Sequence, residues 1–231
     1  AMPTVAIASE FLEAYARIPR AQQKKVREFT EKFQANPKAP SINYEKIHAV
    51  KDDRVRTVRI DKKYRAIILH PDKGEVFVLV WVDNHDEAMV WAKNRSFEVN
   101  PFTGSLQVFN VSEAEQVVVP PTKKKAPGLL DDFEDELLLS FGIPVVLLPA
   151  VRGVRQPDDL LALNKHLPGE CAEALMWLAE GLPPDEVREA VATPKKTQVD
   201  TADLAKALEH PDSRRRFVTI QSDKDLTAIL N

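Results

Sequence analysis

A single cysteine, Cys171, stands among 231 residues. It excludes an internal disulfide framework and fits a reducing compartment. An isolated thiol of this kind reads as a small buried apolar side chain. No apolar run approaches the roughly 18 to 20 residues that cross a bilayer, and no basic segment followed by an apolar one opens the chain. A cytoplasmic location without a membrane partner is therefore expected. The motifs GxxxxGKS/T, GxGxxG, CxxC, HExxH and GxSxG are all absent, which leaves no recognisable machinery for an NTP, a dinucleotide or zinc. His48, His70, His85, His166 and His210 are scattered without a pair at ligand spacing, so no metal is expected.

What is present is the composition of a globular protein, 44% hydrophobic and 29% charged. The length admits one or two domains, and two is the reading adopted. A net charge of −3 conceals an asymmetry. Residues 1–100 carry 18 Lys+Arg against 14 Asp+Glu, and residues 101–231 carry 14 against 21. A mildly basic first half is compatible with a polyanion partner, and the acidic second half argues against an extended nucleic-acid surface there.

The patterning predicts an α+β fold. Residues 3–8 read as a strand, and Ser9 is placed to cap a helix from Glu10 with Phe11, Leu12, Tyr15 and Ile18 at helical spacing. Pro19 opens a second helix with Val26, Phe29 and Phe33 on one face, and Asn36-Pro37 stops it, giving a helical hairpin. Residues 54–60, 64–70 and 76–82 read as three antiparallel strands, with Asp72-Lys73-Gly74 turning between the last two. The third is apolar without alternation, the pattern of a central strand covered on both faces. Asn84 with Glu87 makes a helix-start cap before Ala88 and Trp91.

Beyond this, residues 98–111 read as an added β-hairpin that completes a first domain, 1–111. Residues 112–128, with Pro120-Pro121 and Lys123-Lys124-Lys125, read as a linker whose lysines are a solvated tether or a phosphate contact. Residues 129–192 form a small helical domain with stripes at Phe133, Leu137, Leu138 and Phe141, at Leu160, Leu161 and Leu163, and at Ala174, Leu175, Trp177 and Leu178. Residues 193–231 read as a connector bearing a helix, a strand over 216–221 and a last helix over 223–230.

The residues able to carry chemistry are Arg54, Arg56, Arg59, Lys62, Lys63, Arg65 and His85, all on or beside the predicted sheet. Alternation puts Arg54 and Arg56 on one face and Val55, Thr57 and Arg59 on the other, so only part of the cluster converges. Metal-free phosphodiester cleavage needs a base, cations for the phosphate and an acid. Arg59 and Arg65 have the charge for the cations, and His85 is of the residue type that most often serves as general acid or base. The alternative is structural: Arg65 paired with Glu45 or Asp61, and His85 closing the strand-to-helix junction beside Asp86.

The stretch from Val55 to Ile68, with Arg59, Tyr64 and Arg65, followed by Val78 to Ala88 with His85, resembles the core signature of RelE/ParE-like toxins. The resemblance covers residues 3–95. It implies an antiparallel sheet behind a helical hairpin, with Arg59, Arg65 and His85 at the positions that hold mRNA phosphate and support acid-base chemistry in ribosome-dependent members. Thr57 stands where those members have a first basic residue, and Met89, Val90 and Trp91 occupy the region of a catalytic tyrosine. These departures point to binding rather than cleavage.

A second resemblance spans nearly the whole chain. Val82 to Ala88, Asp135 to Leu138, Phe141 to Pro144, Leu147 to Arg152, Trp177 to Gly181 and Arg216 to Ile220 are similar to the N-terminal region of UvrD/Rep-like superfamily-1 DNA helicases. It implies an accessory region without cofactor of its own, with ATP and Mg required only by an ATPase core beyond Asn231. The expected partners are nucleic acid, DNA or RNA weakly bound through Arg54, Arg56, Arg59, Lys62, Lys63 and Arg65, or the ribosome, or another protein. The alternatives are a ribosome-dependent mRNA endoribonuclease of the RelE type, with Arg59, Arg65 and His85 as its catalytic set, and a ParE-like gyrase binder.

Overall fold

The structure, a computed structural model, describes residues 2–117, 127–191 and 198–231. The elements begin with β1 (Thr4–Ala8), α1 (Ser9–Arg17), α2 (Arg20–Ala35), a 3-10 turn (Pro40–Ile42) and β2 (Glu45–Lys46). Next come β3 (Val55–Arg59), β4 (Tyr64–Leu69), β5 (Val76–Asn84), α3 (His85–Asn94), β6 (Ser96–Val99) and β7 (Leu106–Phe109). Helices α4 (Val111–Val117), α5 (Asp135–Ser140), α6 (Leu148–Gly153), α7 (Pro157–Asn164), α8 (Gly169–Ala179) and α9 (Pro184–Ala190) follow. The last four elements are α10 (Leu204–Glu209), α11 (Pro211–Arg216), β8 (Phe217–Ile220) and α12 (Asp223–Leu230). The class is α+β with a mainly antiparallel sheet.

Two compact units divide the chain, one made of Ala1–Lys93 with Asp203–Asn231 and one of Asn94–Ala202. These boundaries differ from the sequence reading in two places. The hairpin of β6 and β7, expected to complete the first domain, belongs to the second unit, where Phe109 joins the helical core. The tail, expected to lead away as a connector, returns to the first unit because Phe217 and Ile220 bury themselves beside β1. The expected linker begins as α4, started by Asn110 Oδ1 accepting from the Glu113 amide at 3.1 Å. Its lysines 123–125 lie outside the described residues.

In the first unit the six strands are ordered β2-β3-β4-β5-β1-β8. β1 runs parallel to β5, with Val5 opposite Phe77, and all other pairs are antiparallel. β5 is interior to the sheet and Val76 to Val80 are all buried, which accounts for its unbroken apolar run. The register slips where Ile67 faces Trp81 and Ile68 faces Leu79, so Val80 is the extra residue of a bulge. On one face the helical periodicity of α1 buries Phe11, Ala14 and Tyr15, and that of α2 buries Val26, Thr30 and Phe33. They pack with Ile7, Val58, Ile68, Leu79, Leu226 and Leu230. Full burial of each such Phe or Leu contributes roughly 1.5–3 kcal/mol. Tyr15 ties three helices together: its hydroxyl accepts from Arg27 Nη1 at 2.8 Å and donates to the Leu230 carbonyl at 3.1 Å.

Ser9 is not the cap that was expected. Its own backbone is already helical, Ala8 holds the capping position, and the hydroxyl donates to the Glu10 carboxylate at 3.4 Å. Asn84 does cap α3, accepting from the Glu87 amide at 3.1 Å.

The second unit buries Leu138, Phe141, Ile143, Val151, Leu160, Leu163 and Leu175 in one core. Leu161 and Trp177, placed on core stripes by sequence, are 50% and 37% exposed because the adjacent Leu160, Leu163, Leu175 and Leu178 take the inward positions. A buried carboxylate, Glu170, accepts from Ser105 Oγ at 3.1 Å and Gln107 Nε2 at 3.2 Å, which links the hairpin to α8. Cys171 is buried, with its thiol against the Pro168 carbonyl.

Candidate nucleic-acid interface

The turn between β3 and β4 is organised by Asp61. Its carboxylate accepts from the amides of Lys63 at 2.7 Å and Tyr64 at 2.8 Å and pairs with Lys25 at 2.9 Å. Burial alone would raise this carboxyl, but the Lys25 ammonium and the two amides outweigh it and hold the group at about 2. The tight turn leaves Lys62 and Lys63 exposed.

Arg59 and Arg65 are direct cross-strand partners and start from the same face. Like charges so placed repel, and the two side chains part. Arg65, 8% exposed, donates Nη1 to the carbonyls of Asp61 at 2.8 Å and Tyr64 at 3.0 Å. Its anchor is thus the backbone of Asp61 rather than the carboxylate considered from sequence. Arg59 is exposed and makes no hydrogen bond or ion pair among the described residues.

His85 reaches the same end of the sheet. Its amide donates to the Lys63 carbonyl at 2.7 Å, and its exposed ring lies with Nδ1 3.1 Å from Asp86 Oδ1. Arg54 and Arg56 sit toward the opposite end of β3, about 16 and about 10 Å from Arg59 along the strand. Arg54 donates Nε and Nη2 to Asp52 at 3.0 and 2.8 Å, and Arg56 donates Nε to the Asp53 carbonyl at 2.6 Å. The six basic positions therefore do not converge. Arg59, Lys62 and Lys63 form one exposed group, Arg65 is buried within its turn, and Arg54 with Arg56 forms another site of charge.

Beside Arg59 the structure opens a cleft of about 480 Å³ that sequence reasoning did not find. β2 reaches only as far as Thr57, so among the described residues no strand covers the outer edge of Val58 to Ile60. Lys25, Glu28, Phe29 and Lys32 line it from α2, at the i, i+3, i+4, i+7 spacing of one helix face. Ser41 and Ile42 line it from the 3-10 turn, and Val58, Arg59, Ile60 and Asp61 from β3. Its apolar residues, Phe29, Ile42, Val58 and Ile60, are buried or partly so. Lys25 is taken by Asp61, whereas Lys32, like Arg59, forms no ion pair among the described residues. The α2 signal was present in the sequence, but Lys25 and Lys32 were hidden by a reading that followed only the core stripe of Val26, Phe29 and Phe33.

No group of three or more His, Cys, Asp or Glu able to hold a metal occurs among the described residues, and no helix there is long and apolar enough to cross a membrane. Comparison with protein-family models, curated proteins and solved structures returns no match to the chain.

Proposed function

We propose that the first unit is a nucleic-acid-binding module and that the chain serves as a non-catalytic accessory region, in the setting of a UvrD/Rep-like DNA helicase that the sequence resemblance implies. The observation that carries the binding reading is Arg59. It is an exposed guanidinium with no ion pair or hydrogen bond among the described residues, beside a second cation, Lys32, that is likewise without an ion pair there, and next to Lys62 and Lys63. Cations without internal partners are free to neutralise phosphate, and each phosphate contact releases counterions and steepens the salt dependence. Binding is favoured over cleavage because Arg65 is committed to two backbone carbonyls and one cation of the cleavage set is thereby withdrawn.

Titration of labelled oligonucleotides, single- and double-stranded, DNA and RNA, over a range of salt tests the reading. Micromolar or weaker binding is expected, with log K falling linearly against log salt. Arg59→Ala should weaken it and reduce the slope by about one. Equal affinity and slope in Arg59→Ala and Lys32→Ala would remove this face from the interface.

The endoribonuclease reading retains one observation in its favour, the arrival of Arg59, Arg65 and His85 at one end of the sheet. Cleavage of mRNA on translating ribosomes, abolished by His85→Ala, would replace the binding proposal.

A further inference from the structure

We infer that the cleft between α2 and β3 seats one unpaired nucleotide, its base against Phe29 and its phosphate between Arg59 and Lys32, so that the module selects single strands. The inference rests on the nucleic-acid reading above and adds the part of the ligand that is recognised.

The lining is divided by chemistry. Phe29, Ile42, Val58 and Ile60 make an apolar floor, while Lys32 and Arg59 stand on the lining with their charges unpaired among the described residues. A bare phosphate has no use for the floor, and a simple apolar ligand has none for the cations. A nucleotide satisfies both, since its base has two π faces and is joined through one sugar to its phosphate. The volume of about 480 Å³ lies within the range of small-ligand sites. Phe29 is held from behind, its ring 5.8 Å from that of Phe33 and tilted by 33°, so the aromatic surface is backed by the core.

The remaining polar groups sharpen the fit. Asp61 is neutralised by Lys25 and by two amides, so it does not repel the phosphate as a free carboxylate would. Glu28, on the same helix face, accepts hydrogen bonds only and disfavours a second phosphate at that corner; the Ser41 hydroxyl both donates and accepts. A base within a duplex is already stacked and paired and reaches no such recess. The duplex offers only its phosphates, whereas a single strand can turn a base inward.

The experiment uses the full 231-residue chain and a 12-nucleotide single strand carrying one 2-aminopurine, with the matching duplex and an abasic version of the strand as probes. Quenching of 2-aminopurine on binding is expected in the single strand, together with affinity about tenfold above that of the duplex and of the abasic strand. Phe29→Leu should remove the quenching and about tenfold of single-strand affinity while leaving duplex affinity unchanged. Arg59→Gln should weaken both. If Arg59→Gln weakens binding but the wild-type chain shows no quenching and no preference for the single strand, the cleft is a phosphate contact only and the inference fails while the binding module stands. Quenching that persists in Phe29→Leu, with the variant folded by circular dichroism, places the stacking elsewhere and also overturns it. If neither variant affects any probe, both proposals fall.

Discussion

Arg59 and Arg65 face each other across β3 and β4, yet one is exposed with no partner among the described residues and the other is fastened to the carbonyls of Asp61 and Tyr64. A pair that reads as one cationic site in sequence is thus split into a binding residue and a turn anchor. Arg65→Ala should cost on the order of 1–3 kcal/mol of stability, since its charge-assisted bonds are lost in a buried setting. Arg59→Ala should stay within about 0.5 kcal/mol of the parent. Urea denaturation measures both, and equal losses would contradict the split.

Asp61 gives the turn a defined acid limit. Its carboxyl titrates at about 2 in the folded chain against 3.8 when unperturbed, so the unfolded chain takes up the proton first as pH falls. The stabilisation is complete above 3.8 and is lost as pH drops through 2. Asp61→Asn should therefore be less stable at neutral pH, on the order of 1 kcal/mol, and the gap should close in acid. A gap that persists unchanged at pH 2 would show that the carboxylate charge is not what organises the turn.

His70 sets a second, milder limb. It lies edge-on between Tyr44 and Phe77, with ring centroids at 4.7 and 5.0 Å, and burial pushes its imidazole below the ordinary 6.5. The folded state resists protonation, so stability is full above 6.5 and declines below it until the folded imidazole also charges. His70→Phe should flatten that decline in thermal melts recorded across this interval.

Leu226 is 3% exposed on α12, within the core formed by α1, α2 and the sheet. Leu226→Ala should cost about 2–5 kcal/mol. The loss should be seen in the transition of the first unit, because this helix is part of its core. A neutral effect would mean that the tail is an appendage.

Much of the first unit was legible because its signals are local. The spacing of Phe11 and Tyr15, the Asp72-Lys73-Gly74 turn with Gly74 at φ 87° and the Asn84 cap each act within a few residues. What escaped depends on distant partners. β2 is two exposed residues that exist as a strand only by pairing with Arg56 and Thr57. α11 was hidden because Pro211 follows α10 after one residue, His210, which ends one helix and starts the next. The destination of β8 was invisible because four residues carry no mark of the strand they will join. The basic positions were legible as residues, but whether a guanidinium points to solvent or folds onto a carbonyl is decided by the turn and not by composition.

The tail's return also bears on the order in which the protein is made. Tyr15 and the carbonyl it reaches are 215 positions apart, so a chain leaving the ribosome carries β1 with one bare edge until β8 has emerged. The second unit, continuous in sequence, has no such wait. Nascent chains arrested shortly after residue 202 has emerged should resist protease across 94–117 and 127–191 and be cut within the N-terminal segment, which makes the early strand edge the point where a chaperone is needed most.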